Sequence, residues 1–377
     1  MSPRPAHVLY GGAQLFAAGS PAKLGERARM AMAEWGADDL AFGRVVGVDD
    51  EALAHRVATR VRRKLASSPL ESLCIDFEDG FGPRTDAEED AEAVRTAREL
   101  ALVPGPRPAI GIRIKALSGS TASRGHRTLE LFLVTAAEHG SLDETFTVTL
   151  PKVTRPQEVA ELAARLTMLE TTHGLPRIGI ELMIETPGAL VAGGVLSTGA
   201  LVAASDRVVA VHLGAYDLTA ELGVTAGDQR LDHPFCDLAR MLLRLALAGA
   251  AVGISDGATT RLPIPPKDAT PEARRDAVHG AWALHAANVA RAIDVGIWQG
   301  WDLHPAQLPA RFGALFAYFL AREEELAARL RRFVEASGQA TRVGQVFDDA
   351  ATGRGLTSFF ERGRACGAFD GDAENSG

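Results

Sequence analysis

Short apolar runs alternate along the chain with amphipathic stretches, and this alternation limits the possible folds more than any other feature. Each run is bounded by Gly, Pro or acidic residues and is followed by a segment rich in Ala, Leu, Arg and Glu. The eight runs cover residues 7–11, 72–78, 109–116, 145–152, 177–185, 207–214, 250–255 and 295–300. This pattern predicts a parallel sheet whose strands are joined by helices. Eight such units favour a (β/α)8 barrel, with an open doubly wound sheet as the alternative.

Charged residues at the ends of the runs distinguish these two folds. A barrel takes its chemistry from the carboxyl ends of many strands, whereas a doubly wound sheet concentrates it at one switch point beside a Gly-rich loop. The charged residues that end successive runs are Asp76, Glu78, Asp79, Arg113, Lys115, Lys152, Glu185, Asp217 and Asp302. No GxGxxG or GxxxxGK[ST] motif follows any run, so nicotinamide and ATP chemistry is not indicated. The barrel is therefore the predicted fold.

Helical patterns connect the runs and continue beyond the last of them. The clearest connecting helices are predicted at residues 87–102, 155–174 and 271–296. Two stretches, 117–128 and 255–275, are interpreted as long loops that act either as active-site lids or as passive surface loops.

The C-terminal region exceeds what a minimal barrel requires. We predict a barrel domain over residues 1–304 and a helical extension over 305–370, with helical patterns at 305–337 and at about 340–365. The apolar faces of these helices need a partner, so the extension packs on the barrel or on a neighbouring subunit. A homo-oligomer is expected, and the final residues are expected to fray.

Composition excludes several classes of protein. With 46% hydrophobic and 23% charged residues, the sequence is typical of a soluble globular protein. The formal charge of −8 provides no positive field for nucleic acid. The most apolar stretch, 238–254, contains Arg240 and Arg244, and the N-terminus has no signal pattern, so neither a membrane span nor secretion is expected. We interpret the protein as cytoplasmic, with its three cysteines as small buried residues.

Glu185 and Asp217 are candidate metal ligands. Glu185 ends the run IGIELMIE before a Thr-Pro-Gly turn, and Asp217 follows the next run. Adjacent parallel strands would bring both carboxylates within reach of one cation. Mg²⁺ takes one or two protein carboxylates and leaves its other positions to water and substrate. The alternative is that one residue caps a helix and the other is a solvated strand end.

Asp76, Glu78 and Asp79 form an acidic cluster in the segment CIDFEDG. With a strand period of two, Asp76 and Glu78 share a face, and Asp79 lies in the turn. Such close carboxylates repel one another unless a cation or hydrogen bonds compensate. One of them is a candidate general base. The alternative is a polar turn that begins the next helix.

Three further residues carry positive charge or titrate near the predicted site. Arg113 is flanked by isoleucines and needs an anionic partner, either a substrate carboxylate or one of the acidic strand ends. Lys152 could form a Schiff base, but a charge-balancing ion pair is favoured. His304 follows the last run and either reaches the mouth of the barrel or serves as a structural hydrogen-bonding residue. No histidine has the spacing of a zinc ligand.

Six motifs occur in order at the predicted strand ends: FEDG, IRIKAL, LPKV, IETPGAL, HLGAYDLTAELG and DLHPAQL. From about residue 70 to 310 this order resembles the HpcH/HpaI aldolase and citrate lyase superfamily, in particular the citrate lyase β-subunit-like enzymes with barrels of the phosphoenolpyruvate/pyruvate type. The resemblance implies that Glu185 and Asp217 bind Mg²⁺, with Mn²⁺ possible, and that Arg113 holds a substrate carboxylate or carbonyl. It also implies a trimer or hexamer.

The sequence departs from that family at two positions. Asp79 stands where the hydroxy-ketoacid aldolase branch has a catalytic His, which places the chain nearer to the citrate-lyase-like and malyl-CoA-lyase-like branch. The usual R-x-N motif is replaced by Arg113-Ile114-Lys115, so Lys115 adds a positive charge near the substrate.

We therefore expect a Mg²⁺-dependent carbon-carbon lyase or aldolase that works through the metal-stabilised enolate of a small carboxylic or keto acid. The expected catalytic residues are Arg113, Asp79, Glu78 and Asp76, and the expected substrate-binding residues are Arg113, Lys115, Lys152 and His304. The alternatives are an acyl-CoA lyase or thioesterase of the malyl-CoA or citramalyl-CoA type, and a catalytically silent subunit.

Overall fold

Eight parallel strands close into a barrel in the computed structural model, which describes residues 4–337 and 350–370. The barrel strands are β1 (His7–Gly12), β2 (Ser72–Asp76), β3 (Ala109–Arg113), β4 (Thr147–Leu150), β5 (Gly179–Ile184), β8 (Val208–Leu213), β9 (Gly253–Ala258) and β10 (Gln299–Asp302). A small antiparallel hairpin is formed by β6 (Val191–Ala192) and β7 (Val195–Leu196). The barrel order is β1-β10-β9-β8-β5-β4-β3-β2, closed by pairing of β1 with β2. The predicted (β/α)8 barrel is confirmed.

Helices connect the strands and cover the outside of the barrel. They are α1 (Ser20–Trp35), α2 (Asp39–Val45), α3 (Glu51–Ser67), α4 (Asp86–Ala101), α5 (Ala122–Glu138), α6 (Pro156–His173), α7 (Pro187–Leu190), α8 (Thr198–Ala203), α9 (Ala215–Glu221), α10 (Pro234–Ala246), α11 (Pro271–Asp294), α12 (Leu308–Leu320), α13 (Glu323–Ser337) and α14 (Ala350–Cys366). In the part of the chain that the structure describes, no helix has the length and apolarity required to cross a bilayer.

The first six barrel strands lie where the apolar runs predict them, because a strand buried on both faces reads as a nearly continuous apolar run. The last two strands begin later than predicted. Strand β9 begins at Gly253 instead of residue 250, and β10 begins at Gln299 instead of residue 295. The predicted loop at 255–275 is wrong at both ends, because β9 extends to Ala258 and α11 begins at Pro271. Before β10, Gly296 has a positive φ of 77°, which ends α11, and Ile297 is already buried in the core. The apolar pattern therefore starts before the strand does.

The predicted loop at 117–128 is wrong over its second half, because α5 begins at Ala122. Gly125 belongs to this helix, and a Cβ atom there would lie 2.6 Å from the backbone oxygen of Lys115. The glycine permits close helix packing instead of marking a loop. The predicted helix over 305–337 is divided into a 3-10 turn at Pro305–Gln307, α12 and α13.

The C-terminal helices have different surroundings. Helix α12 is almost entirely buried and packs against α3 and α11, whereas α14 contacts α12 and α13. Phe319 of α12 packs against Phe359 of α14 and against Phe369. Residues 338–349 and 371–377, which include part of the second predicted helical pattern and most of the predicted frayed tail, lie outside the described residues. The division at residue 304 stays a prediction.

A buried polar network attaches α11 and α12 to the barrel. Asp302, at the end of β10, is fully buried and accepts hydrogen bonds from Arg311 Nε at 2.7 Å and Nη2 at 2.9 Å. His285 Nε2 lies 3.0 Å from Asp302 Oδ1, and His7 Nδ1 lies 3.6 Å from Oδ2. Burial lowers the pKa of both histidines, and the attraction of Asp302 only partly opposes this. Both imidazoles are therefore neutral in the native protein at pH 7.

Acidification should destabilise the protein through these two histidines. Their native pKa values are depressed below the ordinary 6.5, so below pH 6.5 the unfolded chain binds protons that the native state excludes. The free energy of unfolding should fall by about 1 to 2 kcal/mol between pH 6.5 and 5.5. Urea unfolding across this range measures the slope. His285→Gln should reduce the slope, whereas His173→Gln, at an exposed position, should not. An unchanged slope in His285→Gln would contradict this origin.

Candidate active site

A cavity of about 290 Å³ opens at the carboxyl ends of the barrel strands. The polar and aromatic side chains that line it are Tyr10, Asp76, Asp79, Arg113, Glu185, Tyr216, Asp217, Thr260 and Trp301. These residues lie at or just beyond the ends of different strands. Five of the residues predicted from the sequence for this site are among them. The cavity is the natural position for chemistry in a barrel of this kind.

Arg113 and Asp76 form a buried two-pronged ion pair at the end of neighbouring strands. The two residues are register partners on β3 and β2, and each is 2% exposed. Arg113 Nε donates to Asp76 Oδ1 at 2.7 Å, and Nη2 donates to Oδ2 at 2.5 Å. Burial opposes the positive charge, but Asp76 and Glu78 hold the pKa of Arg113 well above its ordinary value. Of the two partners that the sequence left open for Arg113, the acidic strand end is therefore the one with which it forms an internal ion pair.

One nitrogen of Arg113 remains outside that pair. Nη1 lies 3.1 Å from Glu78 Oε2 and 3.6 Å from Asp79 Oδ2, but it has no hydrogen-bond partner among the described residues. Buried donors without partners are rare in proteins, and they often face water or a ligand. Because Arg113 also lines the cavity, Nη1 is the atom through which a substrate oxygen could be held.

Asp76 has a structural role beyond the ion pair. Its Oδ1 accepts from the backbone N–H of Glu78 at 2.9 Å, and its Oδ2 accepts from that of Gly80 at 2.7 Å. These bonds close the turn after β2. With both oxygens occupied by backbone donors and Arg113, Asp76 positions the turn and is poorly placed to accept a substrate proton. Glu78 and Asp79 remain as candidate bases.

Lys152 connects the acidic residues from different strands. Its ammonium group hydrogen-bonds Glu78 and lies 3.6 Å from Asp79 Oδ1 and 3.5 Å from Asp217 Oδ2. Burial disfavours its charge, but the surrounding acids outweigh this and raise its pKa. The charge-balancing role favoured by the sequence agrees with this geometry. The geometry does not agree with a deprotonated amine, which Schiff-base chemistry would require.

The backbone of Lys152 is strained in a way that serves the site. Its φ of 51° lies in the left-handed region, where residues other than glycine are uncommon. In this conformation its N–H donates to Glu185 Oε1 at 2.6 Å. Such strain persists when surrounding contacts hold it, and it concentrates at functional sites.

Glu185 is a buried carboxyl group in an acidic surrounding. It is 2% exposed, and burial raises its pKa to about 8, opposed by Lys152 and reinforced by Glu78 and Asp217. Gly214 lies against it, since a Cβ atom there would be 2.6 Å from Glu185 Oε2. Asp217, in the first turn of α9, is 44% exposed and lines the same cavity. A cation between the two carboxylates would relieve this excess of negative charge.

Four of the predicted residues do not line the cavity: Glu78 and Lys152 lie beside residues that do, and Lys115 and His304 lie elsewhere. The ammonium group of Lys115 pairs with Glu89 and donates to Phe77 O at 3.2 Å, and Lys115 does not line the cavity. His304 accepts from the backbone N–H of Ala306 at 3.2 Å and caps the 3-10 turn, which is its structural alternative. Lys115 lies two residues beyond the end of β3, and its side chain reaches Glu89 on α4.

Sequence reasoning missed three aromatic residues of the cavity. The guanidinium carbon of Arg113 lies 5.4 Å from the ring centroids of both Tyr10 and Trp301, and these two rings lie 4.3 Å apart. Such rings favour a desolvated cation. Tyr216 donates to Ala258 O at 2.9 Å and lies in the cavity wall. The sequence could have indicated that Tyr10 and Trp301 lie close together, because they are on the first and last strands, which are neighbours in a closed barrel.

A family model described as a domain of unknown function, DUF6986, matches residues 1–376. The chain belongs to the DUF6986 family. No curated protein matches this DUF6986 chain by sequence. Its fold, however, is shared with several solved structures.

A citrate lyase from Burkholderia xenovorans LB400 has 22% identity to the DUF6986 chain and a TM-score of 0.62, and the match covers 82% of this chain and 88% of that one. CitE from Mycobacterium tuberculosis, in complex with magnesium, acetoacetate and coenzyme A, has 19% identity and a TM-score of 0.50. The match covers 96% of this chain and 97% of that one. The magnesium/glyoxylate complex of Haloferax volcanii malate synthase has 16% identity and a TM-score of 0.50. The match covers 92% of this chain and 78% of that one. The fold expected from the motifs is thus confirmed.

Proposed function

We propose that the DUF6986 chain is a Mg²⁺-dependent carbon-carbon lyase or aldolase that acts on a small carboxylic or keto acid. One observation carries this proposal: Glu185, Asp217 and Arg113, whose Nη1 makes no hydrogen bond, line one cavity at the carboxyl end of the barrel. The arrangement combines two metal-binding carboxylates with a fixed donor for a substrate oxygen.

The residues present fit a magnesium ion. The Glu185 carboxylate packs closely against Gly214, its Oε1 accepts from the backbone N–H of Lys152, and both Glu185 and Asp217 line the cavity. Burial, reinforced by Glu78 and Asp217, raises the pKa of Glu185, so a bound cation would favour the ionised carboxylate. In the described part of the chain, no group of three or more His, Cys, Asp or Glu residues could hold a metal by itself. Mg²⁺ suits such a site, because it commonly binds through one or two carboxylates and keeps water or substrate as its other ligands.

Side chains at the site would each have a separate role when the carbon-carbon bond of the substrate breaks. When bound, Mg²⁺ would supply positive charge for the oxygen that becomes negative as the carbon-carbon bond is cleaved. Arg113 Nη1 would donate to a substrate oxygen. Glu78 or Asp79 would accept the hydroxyl proton as the carbon-carbon bond breaks and would return it to the enolate carbon, and Lys152 holds both acids in place. Tyr10 and Trp301 would exclude water from the guanidinium.

The size of the cavity favours a free acid as substrate. Its volume of about 290 Å³ is at the lower end of small-molecule sites and suits a compact acid. The alternative is an acyl-CoA lyase or thioesterase, in which only the acyl part would enter this cavity. The CitE complex that contains coenzyme A makes this alternative worth testing.

The test is to offer short 2-keto-4-hydroxy acids and β-hydroxyacyl-CoA thioesters separately, with Mg²⁺ or with EDTA. Release of pyruvate, glyoxylate or acetyl-CoA is followed. Mg²⁺-dependent turnover of the free acids would support the proposal, and turnover of thioesters alone would support the alternative. No turnover together with no Mg²⁺-linked thermal stabilisation would indicate a catalytically silent subunit.

A further inference from the structure

A second cavity, of about 640 Å³, lies at the opposite end of the barrel from the candidate active site. It is lined by residues that precede β1, β9 and β10, together with residues of α12 and α14. Leu315 and Phe319 of α12 and Ile254 of β9 form apolar parts of its wall. The length of the strands separates this cavity from the catalytic one, so a ligand here would not touch the reacting groups.

Three arginines face this cavity from separate parts of the chain: Arg4 before β1, Arg244 in the last turn of α10, and Arg362 in α14. None of the three forms an ion pair with a carboxylate among the described residues. Glu361 is the single acidic residue in the wall. The local charge is therefore positive in a protein whose formal charge is −8.

Existing contacts hold two of these arginines without neutralising them. Arg4 donates to the backbone oxygens of Val209 and Ala251, and its guanidinium lies over Gly253, where a Cβ atom would be 2.1 Å from Nη1. Arg362 donates from Nε to Ser358 Oγ at 3.1 Å, and its guanidinium carbon lies 5.3 Å from the ring centroid of Trp298. Neutral oxygens and a ring orient these groups. Glu181 attracts Arg4 without forming an ion pair with it, so Arg362 and Arg244 carry the more available charge.

The three arginines line one cavity, so their positive charges repel one another. The pKa of Arg362 is lowered by burial and further by Arg244 and Arg4, with Glu361 opposing them. A cluster of like charges raises the free energy of the native state unless an opposite charge binds. An oxyanion with several charges would relieve it through charge-assisted hydrogen bonds, which arginine forms well with phosphate and carboxylate groups.

We propose that this cavity binds a small multivalent oxyanion, either a phosphate compound or a polycarboxylate, between Arg244 and Arg362, with Arg4 adding charge. Because Arg362 belongs to α14 and Arg244 to α10, the bound anion fastens the C-terminal helix to the barrel. The site is independent of the proposed lyase activity. It is a binding site for an effector and not for the substrate.

Isothermal titration calorimetry of the full-length protein in EDTA tests this site, with inorganic pyrophosphate and citrate as separate probes at constant ionic strength. Arg244→Gln and Arg362→Gln are compared with Arg98→Gln, which removes one charge at an exposed position on α4. Each cavity variant should weaken binding of the preferred probe about tenfold or more, whereas Arg98→Gln should not. Arg244→Lys and Arg362→Lys should retain more affinity than the glutamine variants.

The two probes distinguish the sources of the anion. Tighter binding of pyrophosphate assigns a phosphate compound, and tighter binding of citrate assigns a polycarboxylate. The preferred probe should also raise the melting temperature of the wild-type protein more than that of the glutamine variants, whereas general salt exclusion would act on all of them equally. Equal affinity in wild type, Arg244→Gln and Arg362→Gln, or no binding of either probe, would overturn the proposal.

Discussion

Replacing Arg113 with glutamine should lower the free energy of unfolding by about 3 to 5 kcal/mol. The substitution removes the cation that pairs with Asp76 and leaves that carboxylate 2% exposed without its charged partner. A buried charge stripped of its partner costs far more than the pair contributes when both members are present. Urea unfolding at pH 7 measures the loss.

The matched control is Arg177→Gln, since the pair between Arg177 and Asp206 is 57% and 86% exposed. Arg177→Gln should lower the free energy of unfolding by no more than about 1 kcal/mol. Combining Arg113→Gln with Asp76→Asn should restore part of the stability, with a coupling of about 1 to 3 kcal/mol. A loss in Arg113→Gln no larger than in Arg177→Gln would show that the buried pair does not hold the two strands.

Arg113→Lys separates the structural role of the guanidinium from a catalytic one. Lysine keeps the charge but cannot pair with Asp76 through two nitrogens and present a third to the cavity. After correction for the folded fraction, kcat/KM should still fall by roughly 10²-fold, because the oxygen held by Nη1 gains charge in the transition state. A fall that only follows the folded fraction would make Arg113 purely structural.

The convergence of charged residues could be predicted from the sequence because the carboxyl ends of parallel strands meet at one end of a barrel. An apolar run is followed or ended by each of Glu185, Asp217 and Arg113. The predicted fold was therefore enough to predict that these residues lie at the same end of the barrel. What each atom contacts could not be predicted, since this depends on register. The pairing of Asp76 with Arg113 requires those two residues to be opposite each other on β2 and β3.

Lys115 shows why side-chain direction is harder to predict than position. It lies two residues beyond Arg113, so a strict alternation would point both side chains inward. Strand β3 ends at Arg113, however, so the alternation no longer applies at Lys115, which reaches Glu89 on α4. Tyr10 and Trp301 were missed for a related reason, because they are brought together by closure of the barrel across almost the whole chain.

Glu185 and Lys152 should shift magnesium affinity in opposite directions. Glu185→Gln removes a proposed ligand while keeping its size, so the increase in melting temperature on adding Mg²⁺ should be lost and activity should fall by about 10³-fold or more. Without metal the variant should be at least as stable as the wild type. The pKa of Glu185 is raised to about 8, so near neutral pH the native state gains nothing from ionising this carboxyl group. Asp217→Asn should likewise abolish the Mg²⁺-linked stabilisation.

Lys152→Met should instead strengthen Mg²⁺ binding, by about tenfold or more, while lowering activity. The ammonium lies 3.5 Å from Asp217 Oδ2 and would repel a cation held there, and removing it also leaves Glu78 without one of its two cationic partners. The controls are Glu221→Gln on α9 and Lys267→Met, both at exposed positions. Thermal unfolding during Mg²⁺ titration measures each affinity. Glu185→Gln with an unchanged Mg²⁺ midpoint would remove that residue from the metal site, and weaker binding in Lys152→Met would mean that the ammonium organises the ligands more than it competes with the metal.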